Sequence, residues 1–314
     1  MLSRNPRHAV THARLIITSL LLLIAATPAA ADSNNPLYDD AFNTQWHDGK
    51  AELASYDLIY PRYGEKRIGT AVTIVVTEPF NNTQRVKSDA DGPNTFDVIK
   101  LNLVEDFPTG VYDYNLMTSV FVATQSSGPL PAGATAKISF SSQEWCGHVW
   151  QQAAFRPVDA PNTVAQVSHS YFETEADDTQ TLQHPPRGMA EDALILWARG
   201  LAGPPVELGK TVTIPLYRSM AIQRLQHVPA QWDTATLTRH STTQATAHIA
   251  SNAGDRTYTF TLNLQGVLQT LERSDGYTLK LRNVERLPYW NQHDNTHQSH
   301  LKSIGLEPRG PGKM

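Results

Sequence analysis

RTYTFTLNL, residues 256–264, decides the fold class. Tyr258, Phe260, Leu262 and Leu264 alternate with Thr257, Thr259, Thr261 and Asn263. Successive side chains of a strand point to opposite faces, so this period-two pattern predicts an antiparallel strand with one buried and one wetted face. The same alternation appears at 97–104, 211–216 and 277–284, and residues 70–77 (TAVTIVVT) are β-branched almost throughout. Further strands are expected at 50–60, 111–124, 134–141, 144–155 and 164–173. Asp275-Gly276 is a hairpin signal between 267–272 and 277–284, and Asp91-Gly92-Pro93, Ser127-Gly128-Pro129 and Ala253-Gly254-Asp255 mark loops. Short strands at this spacing predict a mainly β protein, a large antiparallel sheet forming an open or closed barrel.

Two segments break the pattern. GMAEDALILWARGL (188–201) places Met189, Leu194, Trp197 and Leu201 near helical spacing, after Pro185-Pro186 and before Gly203-Pro204-Pro205. It predicts one internal helix, either a plug in the sheet or a lid over a cavity. The tail, 288–314, is expected to be helical near 293–304. Residues 32–287 then form one β-rich domain, with Pro204-Pro205 the best candidate for a pause between two halves.

The N-terminus carries Arg4, Arg7 and Arg14, then LIITSLLLLI (15–24), then small residues ending Ala29-Ala30-Ala31. That order is expected of a secretory signal peptide cleaved after Ala31, with export to the periplasm. An apolar core of about ten residues is short for a bilayer of ~30 Å, so a soluble, not membrane-spanning, mature chain is expected. Loss of those three arginines takes the formal charge from −4 to −7. A mildly acidic chain without Lys/Arg runs has no footprint for nucleic acid. One cysteine excludes an internal disulfide, so stability must come from a hydrophobic core.

SSQEWCGHVW (141–150) holds that cysteine. If extended, it puts Ser142, Glu144, Cys146, His148 and Trp150 on one face, about 6–7 Å apart at i, i+2. A Cys146/His148 nucleophile–base pair oriented by Glu144 needs contacts of about 2.6–3.2 Å, and this spacing does not force them. A buried small hydrophobe and a ligand-lining patch are the other readings of Cys146. His293, His297 and His300 would share one helix face as metal ligands, or simply decorate a solvated terminus. Glu173, Glu175, Asp177 and Asp178 form either a calcium-holding patch or a solvated loop. Trp145, Trp150, Tyr56, Tyr112 and Trp197 are candidates to line a hydrophobic cavity, or they pack the core. The chain has no G-x-S-x-G, H-E-x-x-H, paired C-x-x-C, P-loop or G-x-G-x-x-G, and no cofactor is expected.

The stretches WHDGKAEL (46–53), YPRYGEKRIGTAVTIVVTEPF (60–80), LMTSVF (116–121) and SSQEWCGH (141–148) carry a resemblance. The chain resembles an uncharacterised family of exported bacterial proteins that often bears the label "septum formation inhibitor Maf". True Maf proteins are cytoplasmic nucleotide pyrophosphatases with an N-terminal S-x-S-P-R-R type motif, which is absent here, so the resemblance implies export and not nucleotide hydrolysis. Gly49-Lys50-Ala51-Glu52, Tyr56, Gly64 and Gly69-Thr70-Ala71 are also similar to lipoprotein-carrier-like half-barrels, in which a curved sheet wraps a hydrophobic cavity under a helix. The expectation is a non-enzymatic periplasmic protein binding a lipid-like or amphipathic envelope ligand, or a partner, in the sheet's concavity. The alternatives are a Cys146/His148 envelope hydrolase or transferase and a purely structural envelope protein. The sequence leaves the oligomeric state open.

Overall fold

The computed structural model describes residues 37–307; the expected signal peptide lies outside the described residues. Among the described residues, fifteen strands form one sheet. They are β1 (Ala51–Arg62), β2 (Glu65–Asn81), β3 (Thr95–Pro108), β4 (Asp113–Ala123), β5 (Thr135–Glu144), β6 (Gly147–Phe155), β7 (Thr163–His169), β8 (Asp177–Gln183), β9 (Met189–Ala190), β10 (Thr211–Tyr217), β11 (Trp232–Arg239), β12 (Gln244–Ala250), β13 (Arg256–Leu262), β14 (Leu268–Arg273) and β15 (Thr278–Leu287). Their order is β8-β7-β6-β5-β4-β3-β2-β1-β15-β14-β13-β12-β11-β10-β9. Apart from the parallel β9–β10 pair, each neighbour is antiparallel, and β1 and β15 join the two halves.

The sheet rolls up without closing. Phe155 of β6 meets Tyr217 of β10 at 5.3 Å and Trp232 of β11 at 6.4 Å between ring centroids. Gly203 N donates to Gly133 O at 2.9 Å. The seam between β8 and β9 has no ladder, so the fold is an open barrel around one main core. The alternation read from the sequence selects its lining: Tyr258, Phe260 and Leu262 of β13 are buried with Tyr56 and Leu58 of β1 and Leu101 of β3.

The concavity is filled. Residues 191–198 run through it as a 3-10 turn (Glu191–Ala193) and helix α2 (Leu194–Ala198), and Leu194, Ile195, Leu196, Trp197 and Ala198 are all buried. Trp197 donates its indole N–H to Pro204 O at 3.2 Å. The internal element is therefore a plug. The expected helix over 188–201 is shorter, because Met189-Ala190 pair with β10 and Gly200 turns the chain at φ +75. A five-residue helix apolar on every side is held by packing, since so short a helix is not stable by itself.

Other elements differ from expectation. The strand expected over 144–155 is two strands: Glu144 pairs with Gly147, and Trp145-Cys146 form the hairpin turn. Leu264, expected on the buried face, is 89% exposed, because β13 ends at Leu262 and residues 263–266 turn. The strand expected to reach 173 ends at His169. Helices α1 (Asp40–Trp46) and α3 (Met220–Gln226) were not legible. In α3, Gln223 and Arg224 are buried beside Met220 and Ile222, which hides the apolar stripe. The tail is helical in short pieces, with 3-10 turns at Tyr289–Asn291 and Asn295–Gln298 and helix α4 (Ser299–Ser303). Pro204-Pro205 lie between α2 and β10, within the single sheet system.

Candidate functional site

The ends of β1, β3 and β14 and the starts of β13 and β15 meet at one end of the barrel, beside the 3-10 turn and the start of α3. They enclose a partly open cleft of about 70 Å³. That is room for a few waters or the end of one small ligand. Its apolar lining is Leu101, Leu103, Leu194, Ile195, Phe260 and Leu271. Its polar lining includes Glu105, Asp192 and Ser219, with Tyr60, Tyr258, Tyr277 and Arg273.

Register explains how an acid reaches the interior. Glu105 follows Leu101 and Leu103 in the period-two phase of β3, so its side chain enters the barrel and is 3% exposed. Its Oε1 accepts the Tyr277 hydroxyl at 2.8 Å. Burial pushes the Glu105 carboxyl up to about 7; the Tyr277 bond and the Arg273 charge act the other way, and the Asp192 and Asp106 charges add to the rise. Asp192 accepts the Ser219 hydroxyl at 2.6 Å and the Met220 N–H at 3.2 Å. Burial pushes it up to about 6, opposed by the Ser219 bond and reinforced by Glu191.

Behind the cleft lies a buried chain of charges. Arg256 donates to Glu191 through Nε at 2.6 Å and Nη2 at 2.5 Å, and its Nη2 also reaches Asp233 at 3.1 Å. Arg218 holds Asp233 from the other side at 3.2 and 3.0 Å. Tyr258 donates to Glu191 at 2.7 Å. Hydrogen bonds from Arg218, Gln231, Ser251 and Arg256 hold the Asp233 carboxyl below its usual range, although burial raises it. Arg273 is held bidentate by Asp275 at 2.9 and 2.8 Å. Among the charges lining the cleft, Glu191 and Arg273 thus have ionic partners, while Glu105 and Asp192 accept only from neutral groups.

A second, more polar groove of about 360 Å³ lies between α3 and β6–β8. His169 Nδ1 contacts Asp177 at 2.5 Å, His227 Nδ1 contacts Glu175, and Glu175 also accepts from Ser170 at 2.7 Å. Two of the four acidic residues in 173–178 are therefore engaged by histidines.

The sequence-predicted site residues scatter. Cys146 is exposed at the β5–β6 turn and His148 is exposed beside it. Glu144 is tied to Arg224 at 3.2 Å, so it does not orient His148. Tyr56 and Trp197 are in the core, at 1% exposure each. Tyr112 is half-buried on the β3–β4 connection, 5.9 Å from the Tyr114 ring. Trp145 is exposed on the turn, and Trp150 stacks on His169 at 6.2 Å on the outer surface. None of these five aromatics lines the cleft. His293, His297 and His300 share a groove of about 300 Å³ with Leu53 and Ile304. The rings of His297 and His300 are 6.3 Å apart, and among the described residues no three His, Cys, Asp or Glu groups form a metal-holding cluster. No helix among the described residues is long and apolar enough to cross a membrane.

No family model and no curated protein matches the chain. Among solved structures, it is similar to a β-barrel-like protein of domain of unknown function DUF1849 from Brucella abortus. The identity is 11% over 75% of this chain and 97% of that one, with a TM-score of 0.43. It is also similar to a DUF1089 family protein from Pseudomonas aeruginosa, at 10% identity over 54% of this chain and 82% of that one, with a TM-score of 0.35. At this distance neither carries a ligand or a residue role over to this chain.

Proposed function

We propose that this is a periplasmic binding protein that takes a small amphipathic ligand into the cleft at the end of the barrel. One observation carries the reading: a partly open cleft is lined by leucine, isoleucine and phenylalanine side chains together with the carboxyls of Glu105 and Asp192. Binding sites of this kind combine apolar area for affinity with a few placed polar groups for orientation. The plug leaves about 70 Å³, so the ligand end that enters is short, and a lipid-sized apolar body has no room beside α2. Export, expected from residues 1–31, is part of the proposal. No observation favours the Cys146/His148 enzyme, since the pair is exposed at a turn and Glu144 is engaged elsewhere.

The test is a thermal-shift series with six-carbon alkyl compounds, an alcohol, an amine and a carboxylate, on the full-length mature protein and on Ile195→Trp, which fills the cleft. The reading expects at least one compound to raise the melting temperature in the wild type and not in Ile195→Trp. Equal shifts in both proteins, or none in either, would overturn it.

A further inference from the structure

We propose that the group the cleft receives is a protonated amine, seated between Glu105 and Asp192. The inference rests on the cleft being a ligand site and adds the chemistry of what it takes. It begins with a charge inventory of the lining. Three carboxyls face the cleft, Glu105, Glu191 and Asp192, and one guanidinium, Arg273. Glu191 is neutralised by the two-pronged bond from Arg256, and Arg273 by Asp275. Glu105 and Asp192 remain without a direct ion pair among the described residues, although the Arg273 charge acts on Glu105 and the Arg256 charge on Asp192 from farther off.

Neither is held by a charged donor. Glu105 is 3% exposed and accepts one hydrogen bond, from the Tyr277 hydroxyl. Its second oxygen takes none from the described residues, although an ionised carboxylate can accept at about four positions. Asp192 accepts from Ser219 and Met220, both neutral donors. Burying an unpaired carboxylate is costly, so such groups take up protons or find a cation. Burial raises both, to about 7 and about 6, as expected of carboxyls withdrawn from water without a direct ion pair. An ammonium group supplies the missing charge and three N–H donors, and its alkyl chain meets Leu101, Leu103, Leu194, Ile195 and Leu271. A carboxylate ligand would add a third negative charge, and a neutral alcohol would leave both acids uncompensated.

The proton balance gives the inference a second readout. The amine enters as an ammonium and keeps its proton. Each carboxyl that is protonated beforehand releases its proton to solvent as the ammonium docks. The groups around the two acids are Tyr60 from β1, Asp106 from β3, Glu191 from the 3-10 turn, Ser219 ahead of α3, Arg256 and Tyr258 from β13, Arg273 from β14 with Asp275 bound to it, and Tyr277 from the β14–β15 hairpin. The tyrosines are pushed up by burial and stay neutral, the arginines stay charged, and no histidine lines the cleft, so Glu105 and Asp192 are the lining groups raised into the range between pH 5 and 8.

Calorimetric titration of the mature protein with hexylamine, hexanol and hexanoate, at pH 5 and pH 8 and in two buffers of different ionisation enthalpy, decides the matter. The expected result is hexylamine binding at least tenfold more tightly than hexanol at pH 8, weakening about tenfold or more at pH 5, with proton release between those values. Glu105→Gln, and independently Asp192→Asn, should bring hexylamine close to the affinity of hexanol, which itself should not change with pH. Hexanol or hexanoate binding as tightly as hexylamine at pH 8 would overturn the amine assignment while leaving the cleft as a ligand site. Absence of binding by all three, or binding that persists in Ile195→Trp, would overturn the cleft reading and this inference with it.

Discussion

Glu105 shows how one residue sets a measurable property of the whole chain. Burial pushes its carboxyl up to about 7 from an ordinary 4.5. A folded-state value raised in this way stabilises fully below the ordinary value, and the contribution is lost as pH rises through the folded one. Between pH 4.5 and 7, Glu105 should therefore cost the wild type about 3 kcal/mol of stability, at 1.36 kcal/mol per pH unit. Asp192, raised to about 6, acts in the same direction over a lower window. Urea midpoints across pH 4.5–8 should decline less steeply in Glu105→Gln than in the wild type; parallel profiles would contradict this. Cys146 is the contrasting residue. Exposed at a turn, it should react rapidly with a thiol reagent in the native state, and Cys146→Ala should change stability by less than about 0.5 kcal/mol. Glu105 was legible in principle: DVIKLNLVED (97–106) puts an acid in phase with Ile99, Leu101 and Leu103. Arg256 stands in phase with Tyr258, Phe260 and Leu262 in the same way. A charge on the apolar face of a strand is the signal for a buried polar site, and it was readable where cysteine and histidine drew attention instead. Which partner each charge meets was not readable, because Glu191, Asp233 and Arg256 are brought together only by the rolled sheet.

At the scale of elements, the plug and the charge chain behind it carry the cost of shaping the cleft. Trp197 is 1% exposed and lies edge-on to Phe260 at 6.3 Å. Trp197→Ala should lower stability by about 3–5 kcal/mol, read from denaturant melts. Arg256→Met should cost a similar amount, about 3–5 kcal/mol, because it leaves Glu191 without its cation. A small change in either variant would mean that the interior is looser than described. Gly69 makes the β2–β3 contact possible, since a Cβ there would stand 2.1 Å from the Asp106 carbonyl oxygen. The sequence marked the plug by its departure from period two, but its length was misread, because LILWA is buried all round and offers no amphipathic edge. The β5–β6 turn at Trp145-Cys146 escaped because its sequence contains neither of the usual turn dipeptides, Asn-Gly or Asp-Gly. Gly147 belongs to that hairpin for a contact the sequence does not show: a Cβ would stand 2.4 Å from the Tyr171 ring.

Across the whole molecule, a meander of antiparallel strands was the most legible feature, because alternation and turn chemistry agree along most of the chain. The seam, the open end and the filling of the concavity were not, since they depend on how far the sheet curls and on which segment enters it. The same curl gathers Glu105, Asp192 and the lining leucines from strands and turns far apart in sequence. The central claim is that this gathering is a ligand site. Methyl-resolved NMR of the mature protein titrated with hexylamine at pH 8 tests it most directly. Shifts concentrated on Leu101, Leu103, Leu194, Ile195 and Leu271 are the result expected. Shifts confined to Val149 and Val228 in the polar groove, or to Leu53, Leu301 and Ile304 beside the tail, or no shifts at all, would contradict it.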